Sequence, residues 1–157
     1  MKFATLLYIK NLKGEYLLIE RVNQPNKGFL SPPGGKLKIQ EAESPFACAV
    51  REAYEECNIK SFTTDWKLIG IVTEKSYPEI GDIMIFCFEY LNLIKNLPQN
   101  CREGNFSFVS PDKIRDMNIP ETDKLYIWNF VLNSTTNMFS VHIDCSDEQY
   151  KCIVEQD

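Results

Sequence analysis

The chain has 157 residues, enough for one compact domain with its own core and no need of disulfide or metal staples. Its 44% hydrophobic and 25% charged residues lie near the globular average, which argues against intrinsic disorder and fibrous repeats. Twenty-two acidic against 17 basic residues leave a formal net charge of −5, without the basic footprint of a duplex nucleic-acid or anionic-membrane binder.

Residues 2–10 and 15–21 read as two strands joined by a turn over Asn11-Leu12-Lys13-Gly14. The opening apolar run is short and lacks a small-residue cleavage site, so a strand is expected there rather than a signal peptide. Asn23 to Gly28 is a loop. Ser31-Pro32-Pro33-Gly34-Gly35 then sets a rigid pair before a permissive one. Residues 45–57 are the clearest helix: Ser44 caps it, Pro45 suits its first turn, Glu43 lies at its positive end, and Asn58 stands where a left-handed residue ends a helix.

Residues 66–75, 82–91 and 104–109 read as strands. A short helix is expected over 111–115 and a second over 122–132, after Pro120. Asn137 to Val154 reads as a terminal hairpin turning at Ser146-Asp147-Glu148. This order predicts an α+β fold: a mixed β-sheet flanked by helices in an α/β/α sandwich, with a C-terminal β-hairpin and no domain boundary in residues 1–157. No apolar run approaches the ~20 residues of a spanning helix, so no membrane partner is expected.

The cysteines, Cys48, Cys57, Cys87, Cys101, Cys145 and Cys152, form no C-x-x-C pair. His142 is the single histidine, which argues against zinc. Nothing points to secretion, and a cytoplasmic protein with reduced thiols is expected.

The informative stretch is the helix at 45–57. At 100° per residue, Phe46, Val50, Ala53, Tyr54 and Cys57 share one sector, and Glu52, Glu55 and Glu56 fall opposite. Three carboxylates on one face can be a solvated acidic surface. They are also the oxygen ligand set that a hard divalent cation prefers, and a neighbouring glycine pair lets a ligand approach closely. A metal bound there would admit a small anionic ligand despite the negative net charge.

The full string runs Gly35, seven residues, Glu43, seven residues, then Arg51-Glu52-Ala53-Tyr54-Glu55-Glu56-Cys57-Asn58-Ile59. It resembles the Nudix box, G-x5-E-x7-R-E-U-x-E-E-x-G-U with U aliphatic. Two residues are added between Gly35 and Glu43, and Asn58 replaces the last glycine. The likeness extends to Leu17-Leu18-Ile19-Glu20-Arg21, Arg102-Glu103-Gly104 and Pro120-Glu121-Thr122-Asp123. It is strongest to the MutT, 8-oxo-dGTP diphosphatase-like branch, and implies a single Nudix hydrolase domain over 1–157.

The resemblance implies a Mg2+ (or Mn2+) site on Glu52, Glu55, Glu56, the Gly34 carbonyl and Glu103. Glu52 and Glu103 would be candidate bases, and Arg51 would orient the glutamates through a salt bridge with Glu43. Arg21, Gly35, Glu121 and Thr122 would meet the substrate. The implied activity is a metal-dependent nucleoside triphosphate pyrophosphohydrolase, splitting an NTP or dNTP (8-oxo-dGTP among them) to the monophosphate and pyrophosphate. The alternatives are a Nudix hydrolase of ADP-ribose or dinucleoside polyphosphates, and a non-catalytic nucleotide-binding module. A small nucleotide is the expected partner; nucleic acid is not, and the sequence leaves the oligomeric state open.

Overall fold

Alternation along β1 (Lys2–Asn11) sends Ala4, Leu6 and Tyr8 to one face of a sheet and Leu7 and Ile9 to the other. The computed structural model describes residues 1–133 and 137–157. The further strands are β2 (Tyr16–Arg21), β3 (Leu30–Ser31), β4 (Trp66–Tyr77), β5 (Gly81–Ile94), β6 (Gly104–Val109), β7 (Phe139–Asp144) and β8 (Lys151–Gln156). They form one mixed sheet in the order β3-β2-β1-β5-β4-β7-β8, with β6 antiparallel along β2. The β1–β5 and β4–β7 pairs are parallel.

Helix α1 (Pro45–Cys57) covers one face, where Ala49, Ala53 and Cys57 meet Leu7, Ile9, Leu17, Ile19 and Phe88. Its termini follow the expected local chemistry. Ser44 accepts from the Ala47 N–H, Pro45 opens the first turn, and Asn58 adopts φ 54° in the left-handed region. Between Gly35 and Glu43 the chain makes a 3-10 turn at Ile39–Glu41, closed by Ala42 at φ 51°.

The opposite face is covered by the segment after Pro120. The sequence predicts a helix over 122–132, and residues 121–132 are helical throughout, with a π-helical stretch at Asp123–Ile127 that leads into α2 (Trp128–Leu132). The Trp128 ring packs edge-on to Tyr8 and Tyr16 at centroid distances of 5.1 Å each, beside Leu18, Val72 and Ile127. The helix expected at 111–115 is a 3-10 segment, Pro111–Asp116. β3 has two residues, too short for any periodic signal, and was not foreseen. The terminal hairpin forms as β7 and β8, with a longer connection than the sequence suggested.

Candidate active site

The loop at Pro33–Gly35 is tied to β1 by backbone hydrogen bonds. Leu7 N–H donates to the Pro33 carbonyl and Thr5 N–H to that of Gly35, both at 2.8 Å. This brings the backbone so close to β1 at Gly34 and to α1 at Gly35 that only glycine fits. A Cβ on Gly34 (φ 153°) would lie 2.1 Å from the Thr5 carbonyl oxygen; one on Gly35 would lie 2.3 Å from Glu52 Oε1. Cys48 also reaches the Gly35 carbonyl. Helix α1 therefore has two walls to meet, the sheet and this loop.

That second wall changes the helix faces. Glu52 is 9% exposed and belongs to the buried face with Cys48, Ala49 and Ala53. Tyr54, which the wheel assigns to the apolar sector, is 51% exposed. The expected separation of an apolar stripe from three outward glutamates is thus corrected. Glu52 and Glu56 face the loop and line a cavity of about 720 Å³ with Gly34 and Gly35, whereas Glu55 is exposed and outside that lining.

Arg51 sits behind these carboxylates. Its Nε donates to Glu43 Oε1 at 2.6 Å and its Nη2 to Glu43 Oε2 at 2.9 Å. Nη1 donates to Glu52 Oε1 at 2.6 Å and to Glu55 Oε2 at 3.1 Å. Two parallel bonds of charged partners fix the guanidinium in one plane. The Arg51 hydrogen bond holds the Glu43 carboxyl down at about 2, against a smaller upward push from burial. Burial pushes Glu52 up, opposed by the Arg51 hydrogen bond. Glu56 has no such cation: burial, then the Glu52 charge, push it up to about 8, although the Gly34 N–H donates to it.

Across the cavity stand Arg21 and Glu103, with Arg21 Nη2 3.7 Å from Glu103 Oε2 and Arg21 Nε donating to the Pro25 carbonyl at 2.8 Å. The Val22 N–H donates to the Glu103 carbonyl at 3.0 Å, fixing the loop that carries Glu103 beside the end of β2. Thr122 is buried and lines the cavity, but Glu121 is exposed and does not. The cavity also takes in Asp123, from the Pro120–Asp123 stretch, and Glu74 and Tyr77, which no sequence motif marks. One signal was available: Glu74 sits in phase with Gly70 and Val72, so a charge falls at an inward strand position.

Among the described residues, no three His, Cys, Asp or Glu groups already surround one point. Glu52 and Glu56 form a pair, Glu55 is drawn outward to Arg51, and Glu103 is held by Arg21. The donor chemistry still fits a hard divalent cation. Burial raises both carboxyl groups beside the glycine loop, and the Glu52 charge raises Glu56 further, so a bound positive charge would relieve both.

Comparison with known proteins agrees with this arrangement. The model of the NUDIX domain matches residues 2–128, and the chain belongs to that family, which makes it a hydrolase acting on pyrophosphate bonds. Members generally use divalent metal ions. A Mutator MutT protein from Bacillus halodurans superposes with a TM-score of 0.77 at 20% identity, covering 97% of each chain. A MutT protein from Methanosarcina mazei gives 0.69 at 24% identity, over 85% of this chain and 96% of that one. The NUDIX domain of Shewanella oneidensis NrtR, solved with ADP ribose, gives 0.64 at 17% identity, over 83% of this chain and 84% of that one. These likenesses concern the fold; the substrate is a separate question. No described helix is long and apolar enough to cross a membrane.

Proposed function

We propose that the protein is a single-domain, Mg2+- or Mn2+-dependent nucleoside triphosphate pyrophosphohydrolase, releasing a nucleoside monophosphate and pyrophosphate. The observation that carries this reading is the convergence of Glu52 and Glu56 beside the Gly34–Gly35 loop on the wall of a nucleotide-sized cavity, with Arg21 and Glu103 across from them. Glu56 and Glu52 are the principal metal ligands, the Gly34 carbonyl and Glu103 complete the set, and Glu55 acts through Arg51. The carbonyls on either side of Gly34's are engaged by β1, which supports a free role for that one. Divalent ions held there neutralise phosphate charge and make a bound water more acidic.

The chain's own part is positioning. Arg51 ties Glu52 Oε1 and Glu43 together, leaving Glu52 Oε2 to accept a proton from the attacking water. The water oxygen forms a bond to phosphorus as the bridging phosphoanhydride P–O bond breaks, and the leaving phosphate carries away the electron pair. Arg21 meets the polyphosphate by forming charged hydrogen bonds in exchange for its contact with Glu103. No covalent nucleophile is needed. Free thiols at all six cysteines suit a reducing compartment such as the cytoplasm.

A substrate panel tests this. With Mg2+ present, pyrophosphate should appear from dGTP, 8-oxo-dGTP or another triphosphate. AMP from ADP-ribose or diadenosine polyphosphates as the only product would replace this reading with a different Nudix hydrolase. Tight nucleotide binding without turnover would mark a binding module.

A further inference from the structure

β8 stands at one end of the sheet. It pairs with β7 on one side, and no described strand pairs with its other side. An open edge presents backbone N–H and C=O groups to any further strand, and soluble proteins blunt such edges with proline, bulges, inward charges or short length. β8 is six residues long and contains no proline or glycine. Its one irregularity against β7 falls at Glu155, between the Val141↔Val154 and Ser140↔Gln156 pairs. From Lys151 to Val154 the strand runs in unbroken register with Asp144 to Val141.

The side chains of this edge divide by face. Cys152, opposite Ile143, packs against the core on the α2 side, and Val154, opposite Val141, follows it. Lys151, opposite Asp144, and Ile153, opposite His142, lie on the other face. Glu155 keeps to that face despite the bulge, since its carboxylate accepts from Ser140 Oγ at 2.8 Å. Ile153 is 60% exposed and Val154 48%. Both are β-branched, and such side chains suit a pleated, half-covered surface better than open water.

Lys151 and Glu155 stand two residues either side of Ile153. A two-fold axis perpendicular to the sheet pairs two β8 strands antiparallel and keeps each face on its own side. With Ile153 on the axis, Ile153 meets its own copy and Cys152 meets Val154 of the second chain. Lys151 then meets Glu155 of the second chain, and Glu155 meets its Lys151. An axis at Cys152 would set Ile153 against Lys151, and one at Val154 would set it against Glu155. A single register therefore places each charge against its opposite and each apolar side chain against another.

We infer that β8 is a dimer edge: it takes a second copy of this chain, antiparallel about Ile153, and joins the two sheets into one. The partner is a second copy because the edge is complementary to itself, one lysine and one glutamate lying equally far from its apolar centre. Within the chain Lys151 has only an exposed contact, 3.6 Å from Asp147, which little opposes exchange for Glu155 of the second copy. The described residues that line the cavity include none from β7 or β8, so the dimer edge is independent of the proposed activity. A six-residue edge spans roughly 20 Å and makes a small interface, which sets the dissociation constant on the order of 10 µM.

The test is sedimentation velocity on wild type, Lys151→Glu, Glu155→Lys and an equimolar mixture of the two variants. Wild type should pass from monomer towards dimer between about 1 and 100 µM. Each variant alone sets like charges against each other at both pairs and should associate about tenfold more weakly or worse. In the mixture, one chain carries glutamate at 151 and 155 and the other carries lysine at both. Every pair across the axis is again opposite in charge, and association should return to the wild-type level.

Wild type that stays monomeric up to about 100 µM would overturn the inference, and that series needs no variant. So would single variants that dimerise as wild type does, which would place the interface elsewhere. A mixture of folded variants that associates no better than either alone would overturn the register about Ile153.

Discussion

The cavity has two acidic ends that solve the same electrostatic problem differently. At the α1 end, Arg51 binds Glu43, Glu52 and Glu55 together, and Glu43 stays ionised down to about 2. Glu56 is bound by none of these Arg51 contacts and rises to about 8, with Arg21 giving only a small opposing pull. At the β4 end, no cation among the described residues lowers either carboxyl group: Thr122 donates to Glu74, and burial with the Glu74 charge raises Asp123 to about 8. The first arrangement suits holding a positive ion against phosphates. The second keeps one carboxylate and one carboxylic acid side by side, which suits reading donors and acceptors on a neutral ring.

Breaking the α1 end should give the largest effects. Glu56→Gln and Glu52→Gln should each lower kcat/KM for a triphosphate by ~10²-fold or more, while the base preference of the residual turnover is unchanged. Wild-type rates in either variant, or a change in base preference alone, would dissolve the division between the two ends.

Gly35→Ala is a sharper probe of geometry, because the added methyl must displace the Glu52 carboxyl or the loop. Turnover should fall by about tenfold, with little change in nucleoside monophosphate affinity. Equal loss in both would mean that the two ends are not separable.

Arg51→Lys tests whether the planar fork matters. Lysine keeps the charge but cannot bond Glu43 and Glu52 together, and a stability loss of about 2 kcal/mol is expected in denaturant melts. Unchanged stability would show that charge alone suffices.

The two ends also differ in how they respond to pH. Glu56 and Asp123 are raised in the folded protein from 4.5 and 3.8 to about 8. Their contribution is fully present below those lower values and is lost as pH rises through about 8. The metal-free protein should therefore melt at a higher temperature at pH 5.5 than at pH 8. Glu56→Gln and Asp123→Asn should each flatten that slope, and a flat wild-type profile would contradict both assignments. Glu43 works in the opposite sense, its contribution present above 4.5 and lost as pH falls toward about 2.

The α1 end was legible because its residues lie close together in the chain and obey one helical period. Ser44, Pro45 and Asn58 marked the helix, and the glutamate spacing marked its chemistry. The wheel misjudged Glu52 and Tyr54 because it assumed a single wall, whereas α1 also meets the Gly34–Gly35 loop. That contact depends on where β1 holds the loop, which no local period records. The β4 end was harder still. Glu74 and Asp123 come from a strand and a π-turn far apart in sequence. They meet only because the sheet brings β4 beneath the Asp123–Leu132 segment. Glu121, a substrate contact implied by the family likeness, is exposed at the start of that helical segment.

The most direct measurement of the central claim is a calorimetric titration of Mn2+ into wild type and Glu56→Gln near pH 7, repeated in two buffers of different ionisation enthalpy. Glu56 is largely protonated at that pH, so the account predicts that wild type binds the ion and releases a proton as it does so, whereas Glu56→Gln binds far more weakly and releases none. Mn2+ binding of equal strength in both proteins, with no buffer dependence, would contradict it.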